Sequence, residues 1–147
     1  MENNIKSVLK LEDLYFQKIL FKRNGIKNEK DLSFQIQADI EENTKHPHLY
    51  KITLTVTGEK EEEYDLVVSI AGIFSIDENA NIPDGMRNTL IEKNTIAILM
   101  PYVRSQISLI TAQPGVECVV LPPFNINNIM HITTIINTYF FCFIISP

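Results

Sequence analysis

Charge is almost absent from the last third of this chain. Of the 13 Lys and Arg and 18 Asp and Glu in 147 residues, only Arg104 and Glu117 lie at or beyond position 94. The first two-thirds can face water; the last third has to be covered. Other absences narrow the function. The net charge is −5 and no run of Lys or Arg interleaves with aromatics, which argues against a nucleic-acid partner, because phosphate binding needs a concentrated basic surface. The two cysteines, Cys118 and Cys142, have no metal-ligand spacing and read as small buried apolar residues. All five glycines are isolated, so there is no phosphate-cradling loop. The serines lack the G-x-S-x-G context of a nucleophile elbow. The opening MENNIKSVLK has no apolar signal core, so a cytoplasmic, reducing setting is expected.

What is present is a chain that is 45% apolar, enough for one domain with a real core. No internal repeat or domain boundary is visible. Residues 32–41 and 49–59 alternate strictly. Phe34, Ile36, Ala38 and Ile40 take one face of the first; Tyr50, Ile52, Leu54 and Val56 take one face of the second. That pattern predicts antiparallel strands with one dry and one wet face. Residues 64–76 (YDLVVSIAGIFSI) predict a further strand. Residues 11–21 (LEDLYFQKILF) are mixed in period, but their aromatics favour a strand. The acidic GEKEEE run between the third and fourth strands reads as a solvated hairpin connection.

Residues 77–85 read as a loop and 86–93 as a short helical turn. Residues 94–111 (NTIAILMPYVRSQISLIT) predict a long helix, with Asn94 as N-cap and a kink at Pro101. Pro114-Gly115 ends it, and 117–121 reads as a short last strand. The helix is apolar nearly all round. One sheet covers one side of it, so a partner subunit or a bound client must cover the other.

No catalytic constellation stands out, and no enzyme is expected. His46 and His48 flank Pro47 in a hydrophilic turn and lack a nearby third metal ligand. His131 is isolated. Arg104 reads as a helix charge that pairs with an acid or orients an interface.

Three segments in order then carry a family resemblance over roughly residues 11–130. They are Gly72-Ile73-Phe74-Ser75-Ile76, then Leu99-Met100-Pro101-Tyr102-Val103-Arg104 followed by Ile107 and Ser108, and Leu121-Pro122-Pro123-Phe124-Asn125. Together they resemble the SecB protein-export chaperones. The resemblance implies an α+β fold, a four-stranded antiparallel sheet with helices packed on one face. It implies a homotetramer, a dimer of dimers, with the long helices sandwiched between two sheets. It also implies an ATP-independent holdase with no cofactor, which keeps preproteins or other non-native polypeptides unfolded for export by the Sec translocase. A dedicated chaperone for one partner, such as an antitoxin, is the alternative. Phe74, Ile98, Met100, Tyr102, Val103 and Ile107 are the candidates for client groove or oligomer interface, with the plain core as the competing reading.

Two departures from the pattern are visible. Family members that hand clients to the SecA motor use acidic residues on the sheet surface. The corresponding positions here are Lys18, Lys22 and Val67, which removes the charge complementarity for SecA docking. The family also ends in an amphipathic helix and an acidic tail. Residues 131–147 (HITTIINTYFFCFIISP) carry no Asp, Glu, Lys or Arg. Their apolar run is too short to span a membrane, so no membrane insertion is expected, and it is an aggregation hazard if exposed. We therefore read 1–130 as one SecB-like domain. The tail reads as an extraneous ending, as from a frameshift or truncated gene, or as a segment that packs as an unusual helix or strand.

Overall fold

The alternating segments form the sheet. The computed structural model describes residues 8–83, 85–122, 130–132 and 137–145. Strands β1 (Leu9–Arg23), β2 (Leu32–Glu42), β3 (Leu49–Lys60) and β4 (Tyr64–Ile76) pair antiparallel in the order β1-β4-β3-β2. The register puts Ile36 opposite Val56 and Val56 opposite Val68, so the apolar residues of three strands share one face. Phe34, Ile36, Ala38, Ile52, Leu54, Val56, Leu66, Val68 and Ile70 are all buried there. Each full burial of a large aliphatic side chain contributes roughly 1.5–3 kcal/mol.

Strand β1 explains its own mixed period. Its register against β4 slips between Leu11 and Asp13 and again between Phe16 and Lys18. Each β-bulge inserts one extra residue and switches which face the following side chains take. An alternation interrupted twice in this way cannot be read as one.

A single long helix among the described residues, α1 (Met86–Thr111), packs against β3 and β4. It starts eight residues before the expected N-cap. Gly85 caps it with φ 89°, and no side chain caps it. Asn94 lies inside the helix, where its Nδ2 donates to the Leu90 carbonyl at 2.9 Å. An N-cap needs non-helical backbone. Burial of Ile91 in the core holds the earlier turns in place instead. The core side of α1 is Ile96, Leu99, Met100, Val103 and Ile107.

The expected strand at 117–121 is not one. Its backbone partners are helix hydroxyls: Ser108 Oγ donates to the Val119 carbonyl at 2.8 Å, and the Val119 amide donates to Thr111 Oγ1 at 2.9 Å. Thr111 Oγ1 in turn donates to the Ile107 carbonyl at 2.7 Å. The segment lies along α1, with Val119 and Leu121 buried and Val120 exposed. Cys118, expected in the core, is exposed. It stands on the outward side of that alternation.

The acidic run is also not simply solvated. Lys60 and Glu63 are 5% and 0% exposed. Glu63 Oε1 accepts from Lys60 Nζ at 2.9 Å and from the Asn28 amide at 2.7 Å, and Lys60 Nζ also donates to the Asn28 carbonyl at 2.8 Å. The Glu63 carbonyl accepts from the amides of Asn24 and Gly25. Burial pushes the Glu63 carboxyl up, but the Asn28 hydrogen bond, Lys60 and Arg23 outweigh it and hold the group below the ordinary range. The β1–β2 connection is thereby clamped onto the β3–β4 turn. Gly25 is required at the crossing, because a Cβ there would run into the Glu62 carbonyl. Beside the clamp, Phe21 stacks on Tyr64 with ring centroids 4.9 Å apart. Burial, with the Glu63 charge next to it, pushes the Tyr64 hydroxyl up to about 12.

The tail segment 137–145 takes the strand alternative. Strand β6 (Asn137–Ile145) pairs antiparallel with β2, from Leu32 opposite Ile145 to Ile40 opposite Asn137, and β5 (Met130–Ile132) pairs with β6. The sheet is thus extended at its β2 side to β1-β4-β3-β2-β6-β5. The residues Pro123, Phe124 and Asn125 of the third family segment lie outside the described residues.

Helix and sheet meet closely at Gly72. A Cβ there would stand 2.6 Å from Phe74 Cε2 and 2.9 Å from Leu99 Cδ2. Gly72→Val is expected to cost roughly 1–3 kcal/mol by overpacking, read as a lower urea midpoint with an unchanged slope. An unshifted midpoint would show that the contact relaxes freely.

Candidate functional site

The same periodicity that buries one side of α1 leaves an apolar stripe on the other. Positions 98, 102, 105 and 109 recur at helical spacing. Ile98 is 37% exposed, Tyr102 45% and Leu109 69%. Pro101 and Ser105 are exposed between them. Towards the C-terminal half of α1 this stripe meets the segment that runs back along the helix, and the two wall a groove of ≈ 610 Å³. Pro101, Leu109, Val120 and Leu121 supply its apolar lining, while Arg104, Ser105 and Ser108 supply its polar points. Val120 is 73% exposed. Among the described residues no acid pairs with Arg104, so of its two expected roles the ion pair is not made.

A second apolar surface lies on β1, at the opposite edge of the sheet from the tail. Tyr15, Phe16, Ile19 and Leu20 are each at least a third exposed, with Lys18 and Lys22 exposed among them. Among the described residues β1 is an edge strand, with β4 on one side only.

The six residues singled out from sequence separate. Phe74, Met100, Val103 and Ile107 are buried within the chain's own core, whereas Ile98 and Tyr102 stand on the outward stripe. Leu109 and Val120, which line the groove or its rim, were not among the six. The signal for Leu109 was the helical spacing from Ile98. Val120 was hidden because residues 117–121 read as a strand.

A more polar cavity lies elsewhere. It measures ≈ 530 Å³ and lies between the 77–85 loop, the start of α1 and His48. Several of its polar groups are engaged with one another or with the backbone. His48 Nε2 lies 2.8 Å from Glu78 Oε1, and Arg87 donates to the Pro47 carbonyl at 3.2 Å while its guanidinium sits 5.7 Å over the Tyr50 ring. Among the described residues no three His, Cys, Asp or Glu side chains gather as a metal site, and no helix is long and apolar enough to cross a membrane.

The fold is thus an antiparallel sheet carrying one long helix, with apolar surface left beside α1 and on the β1 edge. Residues 4–134 match the family of Preprotein translocase subunit SecB. The chain belongs to the SecB family, and a chaperone role follows from that membership. It is 33% identical over 138 residues to an uncharacterized protein of Methanocaldococcus jannaschii, covering 88% of this chain and 87% of that one. It is 33% identical over 95 residues to the protein-export protein SecB of an Azoarcus species, a match spanning 61% of each chain. Its fold is similar to that of a Mycobacterium tuberculosis SecB-like chaperone solved with a peptide from the HigA1 antitoxin. The TM-score is 0.66 at 9% identity, covering 83% of this chain and 95% of that one.

Proposed function

We propose that this protein is an ATP-independent holdase that keeps non-native polypeptides extended and unaggregated. The observation that carries the reading is the apolar groove beside α1 walled by Leu109, Val120 and Leu121. Such a surface suits an extended apolar segment and selects little on side-chain identity. Several weak contacts along one client add up once the first is made. Arg104 at the rim would hydrogen-bond a client's backbone carbonyl, an acceptor that every polypeptide carries.

We further propose a cytoplasmic homotetramer arranged as a dimer of dimers. An assembly of that symmetry needs two different self-complementary surfaces. Two are available, the outward stripe of α1 with Ile98 and Tyr102, and the β1 edge with Tyr15, Phe16, Ile19 and Leu20. Clients destined for export are the first reading, as the family's name suggests. The exposed Lys18 and Lys22 favour the second. They place positive charge where an acidic docking surface for SecA would be needed, so a chaperone dedicated to one partner, such as an antitoxin, fits those residues better.

The test is the slowing of aggregation of a reductively unfolded, unrelated client at one client per tetramer. Wild type is expected to suppress it. Val120→Asp, which puts a charge on the groove rim without touching the Ile98–Tyr102 stripe, is expected to require several-fold more protein while keeping the wild-type assembly mass. No suppression by wild type would remove the holding reading. Tight binding of one short segment with no effect on generic unfolded chains would select the dedicated role.

A further inference from the structure

We infer that the outer edge of β2 is a strand-addition site, and that residues 137–145 of this chain occupy it in cis as a plug. Its other occupant would be an extended, uncharged polypeptide segment with apolar residues at alternate positions. The family match ends at residue 134, so β6 lies beyond what the family shares. The first four strands form a complete antiparallel sheet in the order β1-β4-β3-β2 without it. β6 is laid onto the β2 edge over nine register pairs. Without β6, alternate N–H and C=O groups from Leu32 to Ile40 would be left unpaired, a template for any extended chain.

The chemistry of the site is legible from the register. Tyr139, Phe141, Phe143 and Ile145 stand opposite Ala38, Ile36, Phe34 and Leu32, the buried positions of β2. Thr138, Phe140, Cys142 and Ile144 stand opposite Asp39, Gln37, Gln35 and Ser33. The plug carries no charge, so it neither needs nor offers an ion pair, and main-chain hydrogen bonds supply the affinity. Helix α1 packs over β3 and β4, so the β2 edge can exchange its neighbour without disturbing the helix. β5, now outermost, is three residues long, and so short an edge is a poor template for further strands. The plug thus closes the edge against aggregation and sets a threshold that a trans segment must exceed. This inference does not rest on the α1 groove.

The probe is a fluorescent peptide of the 137–145 sequence with lysines added at both ends for solubility, followed by anisotropy against the full chain. Two full-length variants move the plug. Phe140→Pro/Phe141→Pro removes a ladder donor whichever residue faces β2, and is expected to lower the Kd for the probe at least tenfold relative to wild type. Gln35→Cys in a Cys118→Ser background sets a thiol opposite Cys142; mild oxidation is expected to form that disulfide and abolish probe binding, and reduction to restore it. A scrambled peptide of the same composition without the alternation should bind neither. The inference is overturned if the proline variant, folded by circular dichroism, binds the probe no better than wild type. It is equally overturned if the oxidised form binds as well as the reduced one, or if the disulfide fails to form. Should the proline variant not fold, the oxidised and reduced forms decide alone. Every titration is run in a Val120→Asp background, which impairs the α1 groove, so probe held there is not counted at the β2 edge and failure of the groove reading is distinguishable from failure of this one.

Discussion

Glu63→Ala is expected to lose about 3–5 kcal/mol of folding stability, the usual consequence of removing one member of a buried ion pair. The size follows from what remains. Lys60 stays 5% exposed with its ammonium left only the Asn28 carbonyl at 2.8 Å, and the Asn28 amide loses its acceptor. For a domain whose total stability is of order 5–15 kcal/mol, that brings it near unfolding at room temperature. Urea denaturation measures it. The double variant Lys60→Met/Glu63→Leu should recover most of the loss, because an apolar pair of similar volume needs no desolvation. If both variants fall equally, the ion pair is not the cause.

The same clamp gives a pH dependence with a definite sign. The folded Glu63 pKa lies below the ordinary value of 4.5, so the folded state binds this proton less readily than the unfolded one. The stabilisation is therefore complete above pH 4.5 and is lost as pH falls below it. In Glu63→Gln that part of the acid slope should disappear.

The second large effect concerns assembly. Ile98→Asp/Tyr102→Asp is expected to convert a particle of four times the 16.8 kDa chain into one of half that mass or less. Two carboxylates in the middle of a self-complementary surface meet their own copies and lose their water together. Because Ile98 and Tyr102 are 37% and 45% exposed in the single chain, its fold should survive, with an unchanged far-ultraviolet spectrum. Native mass measurement reads the result. A tetramer that persists at micromolar concentration would move the interface away from α1 and leave the β1 edge as the first candidate.

The acidic run illustrates where sequence reading stops. GEKEEE has every mark of a solvated turn, and Glu61 and Glu62 do face water. Glu63 is buried because the β1–β2 connection, with Asn28, 35 residues away in sequence, crosses it. No local pattern carries a contact of that range. In β1 the obstacle was different: two bulges broke a period that is only legible when unbroken. At the start of α1 residues 86–93 read rightly as helical, but nothing in the sequence marked the burial of Ile91 that joins this turn to the long helix. For the site, the helical spacing of Ile98 and Tyr102 was available, but exposure was not. Phe74, Val103 and Ile107 look no different in sequence from their exposed neighbours.

The sequence by itself determined that β2 and β3 are antiparallel strands with one dry face, because a period of two is a property of the strand backbone. It also determined that residues 94–111 are helical and too apolar for one sheet to cover, and through three short segments it pointed to the SecB family. Only the tertiary structure decided which side of α1 stays outward, that Lys60 and Glu63 are buried together, and that residues 137–145 lie on the β2 edge. Periodicity fixes the conformation of a segment and the line between its two sides. Which side meets the core, and which distant backbone completes a ladder, depends on free energies gained only when segments far apart in sequence come together.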